Sequence, residues 1–354
     1  MRSRTTQSEQ PCPLFECLSS MRRTSTTCSL PKRRPRALAA SGPLSEPKVS
    51  IVIVNWNTYE ITRECLLSLR ALTYKGASIV LVDNASSDDS AARLSTEFEE
   101  TIVISNSENL GFTGGCNVGI KHALKLGAQY ILLLNSDTIV DSRFLSLMVH
   151  AAEKERNIGL LNPTILHSDS GDPWYAGGSV NLWTGIPRHN RGARGSGEQS
   201  QAPVDVTFVT GCALLIKAPV VRHIGLLDET FFLAYEDADW SIRARRAGYR
   251  AVYVPNARIW HKESYTFRST NCKSRRDYYN ARNALILASK HANFYQWPSL
   301  LTCYLSQLAY RACGYALLGQ PARIKGLFLG LADGAKQLWS RRRGRRLALR
   351  NVSK

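Results

Sequence analysis

The sequence predicts an α/β fold: a mostly parallel central sheet flanked by helices, with a helical extension at the C-terminus. Three observations predict it. Uninterrupted, β-branched apolar runs such as VSIVIV (49–54) read as strands buried on both faces. Runs of this kind alternate with helical spacing repeatedly between residues 49 and 154, as right-handed strand–helix–strand units do. Three of the runs end in small polar clusters, Asn55–Asn57, Asp83-Asn84 and Asn135–Asp137, and ligands of such sheets lie beyond the carboxyl ends of the strands.

The elements follow in order. VSIVIVNWN (49–57) is the first strand, and residues 59–72 have helical spacing with Ile61, Cys65, Leu66 and Leu69 on one face. ASIVLVDNASSDDS (77–90) gives the second strand, whose Ser/Asp cluster caps a helix at about 88–98. TIVISN (101–106) is the third strand. ENLGFTGGCNVGI (108–120) reads as a glycine-rich loop running into a helix at about 116–126. YILLLNSDT (130–138) is the fourth strand, followed by a helix at about 141–154. Beyond residue 160 the pattern changes. Residues 174–201 are loop-rich, and DVTFVTGCALLIKA (205–218) is a strand pair or a strand entering a helix. FFLAYEDADWSIRARRAGYRAVYVP (231–255) is a helix ended by Gly248 and then a strand; ARIWHKES (257–264) follows, and residues from about 276 to 340 are helical in several segments.

Charge divides the 354-residue chain. The net charge of +18 splits into +6 for residues 1–48, +2 for 49–298 and +10 for 299–354. A nearly neutral centre excludes broad nucleic-acid binding by the folded part, so no nucleic-acid partner is expected. Residues 1–48, rich in Ser, Thr, Pro and Arg, are expected to be a disordered basic tail in which Met21 is a second possible start. Residues 49–275 form the expected catalytic domain and 276–354 a helical, basic extension. Nine scattered cysteines without a CxxC pair, the lack of a secretory leader and the lack of an apolar span of roughly 18 residues point to the cytoplasm, with peripheral contact to a membrane as the alternative to a freely soluble protein.

Each candidate residue has a plain structural reading beside the chemical one. Asp83 can accept a hydrogen bond from a nucleobase N–H or open an Asx turn. The glycines of NLGFTGGCNVGI (109–120) let backbone approach a ligand or simply make a flexible connection. Asp137 suits a divalent cation that keeps further positions for phosphate, or it caps the following helix, for which Asp141 and Ser142 are rival caps. Glu236, Asp237 and Asp239 start a helix ending in Arg243, Arg245 and Arg246, an arrangement that the helix dipole favours by itself. Three carboxylates exceed what a cap requires, and crowding raises their pKa towards that of a working general base. His261 closes a short apolar run and counts as a ligand only if it converges on Asp137.

Together, VSIVIVNWN, IVLVDNASSDDS, NLGFTGGCNVGI, LLLNSDT, TGCALLIKA, GLLDETFFLAYEDADWSIRARRAGY and IWHKES, collinear over 49–265, resemble the family 2 glycosyltransferases, inverting enzymes of the GT-A fold, and their rhamnosyltransferase-like members in particular. The resemblance implies a nucleotide-sugar site containing Asn55, Asn57, Asp83, Asn109, Gly111, Asn117 and Asp137. Asp83 would meet the base, and Asn109, Gly111 and Asn117 would lie near base and ribose. Asp137 would be the ligand of Mg²⁺ or Mn²⁺ in the family's DxD element, here Asn135-Ser136-Asp137, with His261 as a further ligand to the metal or the diphosphate. Asp237 would be the catalytic base, with Glu236 and Asp239 orienting acceptor or base. Residues 177–192 occupy the acceptor side, where Trp183, along with Trp174 and His189, stacks on sugar or packs as ordinary loop. The implied activity is transfer of a sugar, rhamnose being favoured, from a nucleoside diphosphate (dTDP-rhamnose above others) to a glycan or polyprenyl-diphosphate-linked glycan in cell-surface polysaccharide synthesis. The apolar, basic C-terminal region would then lie on the cytoplasmic leaflet, or form a solvated appendage. The alternatives are a sugar-1-phosphate nucleotidyltransferase, disfavoured because NWNTYE follows the first strand where a basic glycine-rich loop is needed, and a non-catalytic nucleotide-sugar or membrane-binding protein.

Overall fold

The computed structural model describes residues 46–191, 202–262 and 270–352. The expected tail before residue 46 lies outside them, as do residues 192–201 and the Glu263-Ser264 end of the last motif. The elements are β1 (Val49–Asn55), α1 (Tyr59–Arg70), β2 (Ala77–Asp83), α2 (Ser90–Glu97), β3 (Ile102–Ser105), α3 (Gly111–Lys125), β4 (Tyr130–Asn135), β5 (Thr138–Val140), α4 (Phe144–Glu153), β6 (Ile158–His167), β7 (Pro173–Tyr175), β8 (Gly178–Asn181), β9 (Ile186–His189), β10 (Val204–Val206), β11 (Ala213–Lys217), α5 (Ala218–Ile224), α6 (Glu236–Arg246), β12 (Arg250–His261), α7 (Thr270–His291), α8 (Trp297–Leu317) and α9 (Pro321–Val352).

The main sheet runs β3-β2-β1-β4-β11-β6-β12-β10. Strands β1 to β4 are parallel, and β12 is parallel to β6. Strand β11 is antiparallel to both its neighbours, β4 and β6. The apolar runs are continuous because both faces are covered. Ile51, Ile53, Leu132 and Leu134 join Leu66, Phe144 and Met148 in one core, while the alternate residues Val52, Ile131 and Leu133 join Ile120, Val220 and Trp240 in the other.

Two expectations change. The glycine-rich stretch is not a loop: α3 begins at Gly111, five residues before the expected start. Its glycines serve packing, since a Cβ on Gly115 would meet Val54 at 2.9 Å and one on Gly119 would collide with Val52. Helix α3 therefore lies directly on β1. Residues 174–201, expected to be mainly loop, contribute β7, which pairs with β6, and the β8–β9 hairpin.

The three C-terminal helices are joined to the rest through α7 and, at the start of α8, through Ser299 and Leu300 against the β8–β9 turn. Ile286 and Leu287 of α7 share a core with Phe208, Phe231 and Ile242. Helix α9 meets α7 along Gly326, Gly330 and Gly334, where any Cβ would fall on the backbone or side chains of Ser274, Tyr278, Ala281, Arg282 or Leu285. On the other side of these helices Leu301, Leu305, Leu317, Phe328 and Trp339 are exposed. Among the described residues no helix is long and apolar enough to cross a membrane.

Candidate active site

The parallel register sets the polar strand ends side by side: Asn55 lies opposite Asp83, and Val54 opposite Asn135. Fully buried Asn55 is a structural hub. Its Nδ2 donates to Asp83 Oδ1 at 2.8 Å and Ser90 Oγ at 3.2 Å, and its Oδ1 accepts from Thr62 at 2.8 Å and Thr58 at 3.0 Å. Asp83 is nearly as buried, and both its oxygens are engaged by Ser86, the hydroxyl at 2.6 Å and the backbone N–H at 3.0 Å. Asn57, at φ 54°, accepts from the Ser87 N–H at 2.7 Å. These three residues, expected to touch the nucleotide, tie the two strand-end loops together and do not line the cleft at this edge. Asp83 turns back on its own loop, bonding Ser86 three residues on.

The neighbouring residue does line it. Asn84 donates to Asn109 Oδ1 and the Gly111 carbonyl, both at 3.0 Å, and accepts from Asn106 Nδ2 and the Leu110 N–H. With Asn109, Gly111, Trp56 and Asp137 it borders the larger of two clefts that open to solvent at this edge. Asn117 is a correction. It is buried on the far side of α3, where it donates to the Leu227 carbonyl and Glu229 Oε1 at 2.9 Å and accepts from the Leu227 N–H at 3.1 Å. It clips α3 to the chain before α6.

Asp137 does not cap a helix. The chain after it forms β5, which pairs with the end of β12 so that Thr138 faces His261. That pairing brings His261 Nε2 to 3.1 Å from Asp137 Oδ1. The donor set fits a divalent cation. Neighbouring ligand atoms in an octahedral shell of about 2.1 Å radius lie about 3 Å apart, and Mg²⁺ takes one or two protein ligands while leaving positions for phosphate and water. No group of three or more metal-ligating side chains occurs among the described residues. The Trp174 ring packs edge-on against His261 at 4.9 Å and fixes its plane. Burial opposes charge on His261, but Asp137 and Cys212 favour its protonated form and raise its pKa; a ligating His261 has to release that proton.

A second, smaller cavity, also open to solvent, lies on the other side of Asp137 and is lined by Asp137, His261, Trp174, Glu236 and Asp237. Because β11 is antiparallel, its entrance, Thr210–Cys212, reaches the same edge at which β4 exits. There the Gly211 N–H donates to Asp237 Oδ2 at 3.0 Å, and the Ala238 N–H holds Oδ1 at 2.8 Å. Burial nevertheless dominates and raises the Asp237 carboxyl to about 6. Glu236 is buried, with Oε2 unpartnered among the described residues, and burial reinforced by the Asp237 charge raises its pKa well above the ordinary value. Asp239 belongs elsewhere. It is fully buried against Arg243 at 2.7 Å, Lys290 at 2.6 Å and His291 at 2.7 Å, and it bonds α6 to α7 without reaching either cavity. Trp183 also misses the site. It is half exposed on the β8–β9 turn, 5.8 Å from the Tyr295 ring. His189 packs against Trp174 at 4.4 Å, so the aromatic wall of the second cavity is Trp174.

Several lining residues were not foreseen. Phe112 borders both cavities, and Phe232 stacks on Tyr279 at 5.1 Å beside the larger one. Arg275 and Arg276, on successive positions of α7, reach the larger and the smaller cavity respectively. Their signal was present in the run KSRRDYY (273–279), three cations ahead of two tyrosines.

A mostly parallel sheet with an open cleft at its carboxyl edge, a carboxylate–histidine pair and a half-buried carboxylate across from it are the layout of a nucleotide-sugar transferase of the GT-A fold. The chain belongs to family 2 of the glycosyltransferases: the family model described as "Glycosyltransferase like family 2" matches residues 47–280. It is 28% identical over 206 residues to a low-salt glycan biosynthesis hexosyltransferase of Haloferax volcanii, covering 56% of this chain and 62% of that protein's length. It is 22% identical over 277 residues to the N-acetylglucosaminyl-diphospho-decaprenol L-rhamnosyltransferase of Mycobacterium tuberculosis, covering 70% and 86% of the two chains. Its fold matches a mannosyltransferase from Pyrobaculum calidifontis, solved with GDP-Man and Mn²⁺, with a TM-score of 0.51, 15% identity and coverage of 83% and 88%.

Proposed function

We propose that this chain moves a 6-deoxyhexose, rhamnose in the first instance, from a nucleoside diphosphate, dTDP being favoured, to a glycan acceptor with inversion at the anomeric carbon. The observation that carries the reading is the placement of Asp237. It is a half-buried carboxylate of raised pKa, and it shares a cavity rim with the Asp137–His261 pair. The larger cleft takes the nucleotide, with Asn84, Asn109 and Gly111 along its wall. Asp137 and His261 would hold Mg²⁺ or Mn²⁺, which neutralises charge developing on the leaving diphosphate. Asp237 accepts the proton of the acceptor hydroxyl as its oxygen bonds to the anomeric carbon; the bond from that carbon to the diphosphate oxygen breaks, and the nucleoside diphosphate departs on the opposite face. Burial biases Glu236 towards its neutral form, which would keep a second negative charge away from the incoming hydroxyl.

The acceptor cavity opens beside Trp174, a flat apolar surface of the kind on which sugars stack. A polyprenyl-diphosphate-linked acceptor is supported by the decaprenol-linked substrate in the name of the mycobacterial relative, and by the exposed apolar residues and the +10 charge surplus of the C-terminal region. That region would rest on an anionic cytoplasmic leaflet.

A thermal-shift panel of dTDP-, UDP- and GDP-sugars, with and without Mn²⁺, tests the reading. A dTDP-rhamnose complex at 100 times its dissociation constant should stabilise the fold by about 2.7 kcal/mol, and chelation should abolish the shift. A panel in which no nucleotide sugar moves the midpoint at millimolar concentration would sink the proposal.

A further inference from the structure

The turn between Phe231 and α6 has an unusual backbone. Phe232, Ala234 and Tyr235 all carry a Cβ and all have positive φ, at 59°, 67° and 74°. L-residues adopt that region at a cost, and three in four positions persist only where surrounding groups hold them. This turn also separates the cavities. Phe232 and Leu233 line the larger one, and Leu233 and Ala234 the smaller. Tyr235 is the residue from which α6 starts, two positions before Asp237.

The group that holds the turn comes from α7. Asn283 is fully buried, and its Nδ2 lies 2.8 Å from each of three carbonyls, those of Phe231, Leu233 and Ala234. An amide nitrogen has two hydrogens, so its donor capacity is wholly committed to this turn, while Oδ1 is buried without a partner. The adjacent Arg282 donates to the Thr230 carbonyl, and the Thr113 N–H donates to the Phe232 carbonyl at 3.1 Å. The turn is thus pinned from α7 on one side and α3 on the other. No other side chain of this size matches the arrangement. Aspartate would set a second oxygen against three carbonyl oxygens, and serine reaches one carbonyl at most.

We propose that Asn283 is a positioning residue for sugar transfer: it fixes the left-handed turn Phe232–Tyr235 and so sets where the Asp237 carboxylate stands relative to the donor. The proposal rests on the transferase reading given to Asp237. A base displaced by an ångström loses transfer rate without losing donor affinity, which is the signature to seek.

The test compares Asn283→Ser with Leu285→Ala, a buried residue of the same helix that packs towards α9 and not towards the turn. Both variants are made in the full chain and measured for Tm, for kcat and donor KM, and for amide hydrogen exchange. Asn283→Ser should lower kcat on the order of a hundredfold with donor KM within about twofold. It should also speed exchange of the Thr113 and Asp239 amides, which donate to the Phe232 and Tyr235 carbonyls. Leu285→Ala should lose Tm while kcat stays within about twofold. Should Asn283→Ser not fold, the double variant with Ala234→Gly relieves the positive φ and is measured instead; a folded double variant is still expected to show depressed kcat. Equal kcat losses in Asn283→Ser and Leu285→Ala at matched Tm, or full kcat in the double variant, would overturn the proposal. A wild-type chain that transfers no sugar would remove the transferase reading alone, and unchanged amide exchange in Asn283→Ser would remove the clamp alone.

Discussion

Replacing Asp237 by Asn tests the general base and the cost of keeping it. The carboxyl stands at about 6 in the folded protein against an ordinary 3.8, chiefly because it is buried. Each unit is worth about 1.4 kcal/mol, so ionising it in the fold costs about 3 kcal/mol, an upper bound because its face on the cavity is partly screened by solvent. The folded pKa is raised, so the favourable share is present below pH 4, where both states are protonated. It is lost as pH rises through 6, where the fold carries an unwelcome charge. The amide of the variant carries no such charge. It does lose one of the two backbone N–H bonds, from Gly211 or Ala238, but that penalty is the same at every pH. The stability difference between Asp237→Asn and wild type should therefore swing by about 1.5–3 kcal/mol in the variant's favour between pH 4 and pH 8, read by urea unfolding at each pH. Transfer should fall by about 10² to 10⁴ while nucleotide binding survives, and the wild-type rate should rise through about pH 6 to a plateau. Parallel stability curves across that range, or transfer within tenfold of wild type, would refute the assignment.

Two further outcomes concern residues outside the chemistry. Asp239→Asn should cost about 3–5 kcal/mol by leaving Arg243 and Lys290 facing each other without their counter-ion; burial opposes the Asp239 charge, but the hydrogen bond from His291 and the charges of Arg243 and Lys290 hold its carboxyl far below the usual range, so the wild-type contribution is present above pH 4 and fades as pH falls below it, as acid unfolding would record. Gly330→Ala should lower stability by about 1–3 kcal/mol, because its Cβ would fall on the Tyr278 carbonyl, whereas Gly314→Ala on α8, with nothing within 4 Å, should raise it by about 0.5–1 kcal/mol in the same thermal assay.

The parallel half of the sheet was legible because both its signals are local: β-branched runs of one length and helical spacing between them. The polar strand ends were legible as a group and misread singly. Nothing in a strand-terminal Asn says whether it faces a ligand or its neighbours, and the register turns Asn55 towards Asp83 and leaves Asn84 to the cleft. Gly111–Gly115 read as loop because glycine disfavours helix by itself, and the contact with β1 that overrides this is tertiary. Asp237 and Asp239 lie two apart on one helix and so point to nearly opposite sides; that they differ in role was readable, but which one meets the cavity depends on α7 lying against the other. Asn283 stayed hidden because α7 sits in sequence far from the turn before α6 that it holds.

The matched ends of β1, β2 and β4 also bear on how this chain can vary in length. Side chains alternate faces along a strand, so one residue added or removed inside 49–55, 77–83 or 130–135 would turn every apolar side chain beyond it to the wrong face and push one polar end out of line with the other two. Segments such as 71–76 and 98–101 carry no such constraint. The edge on which the cleft is built thus works as a gauge of strand length, and differences in length among related chains should collect in the connections and spare the strands.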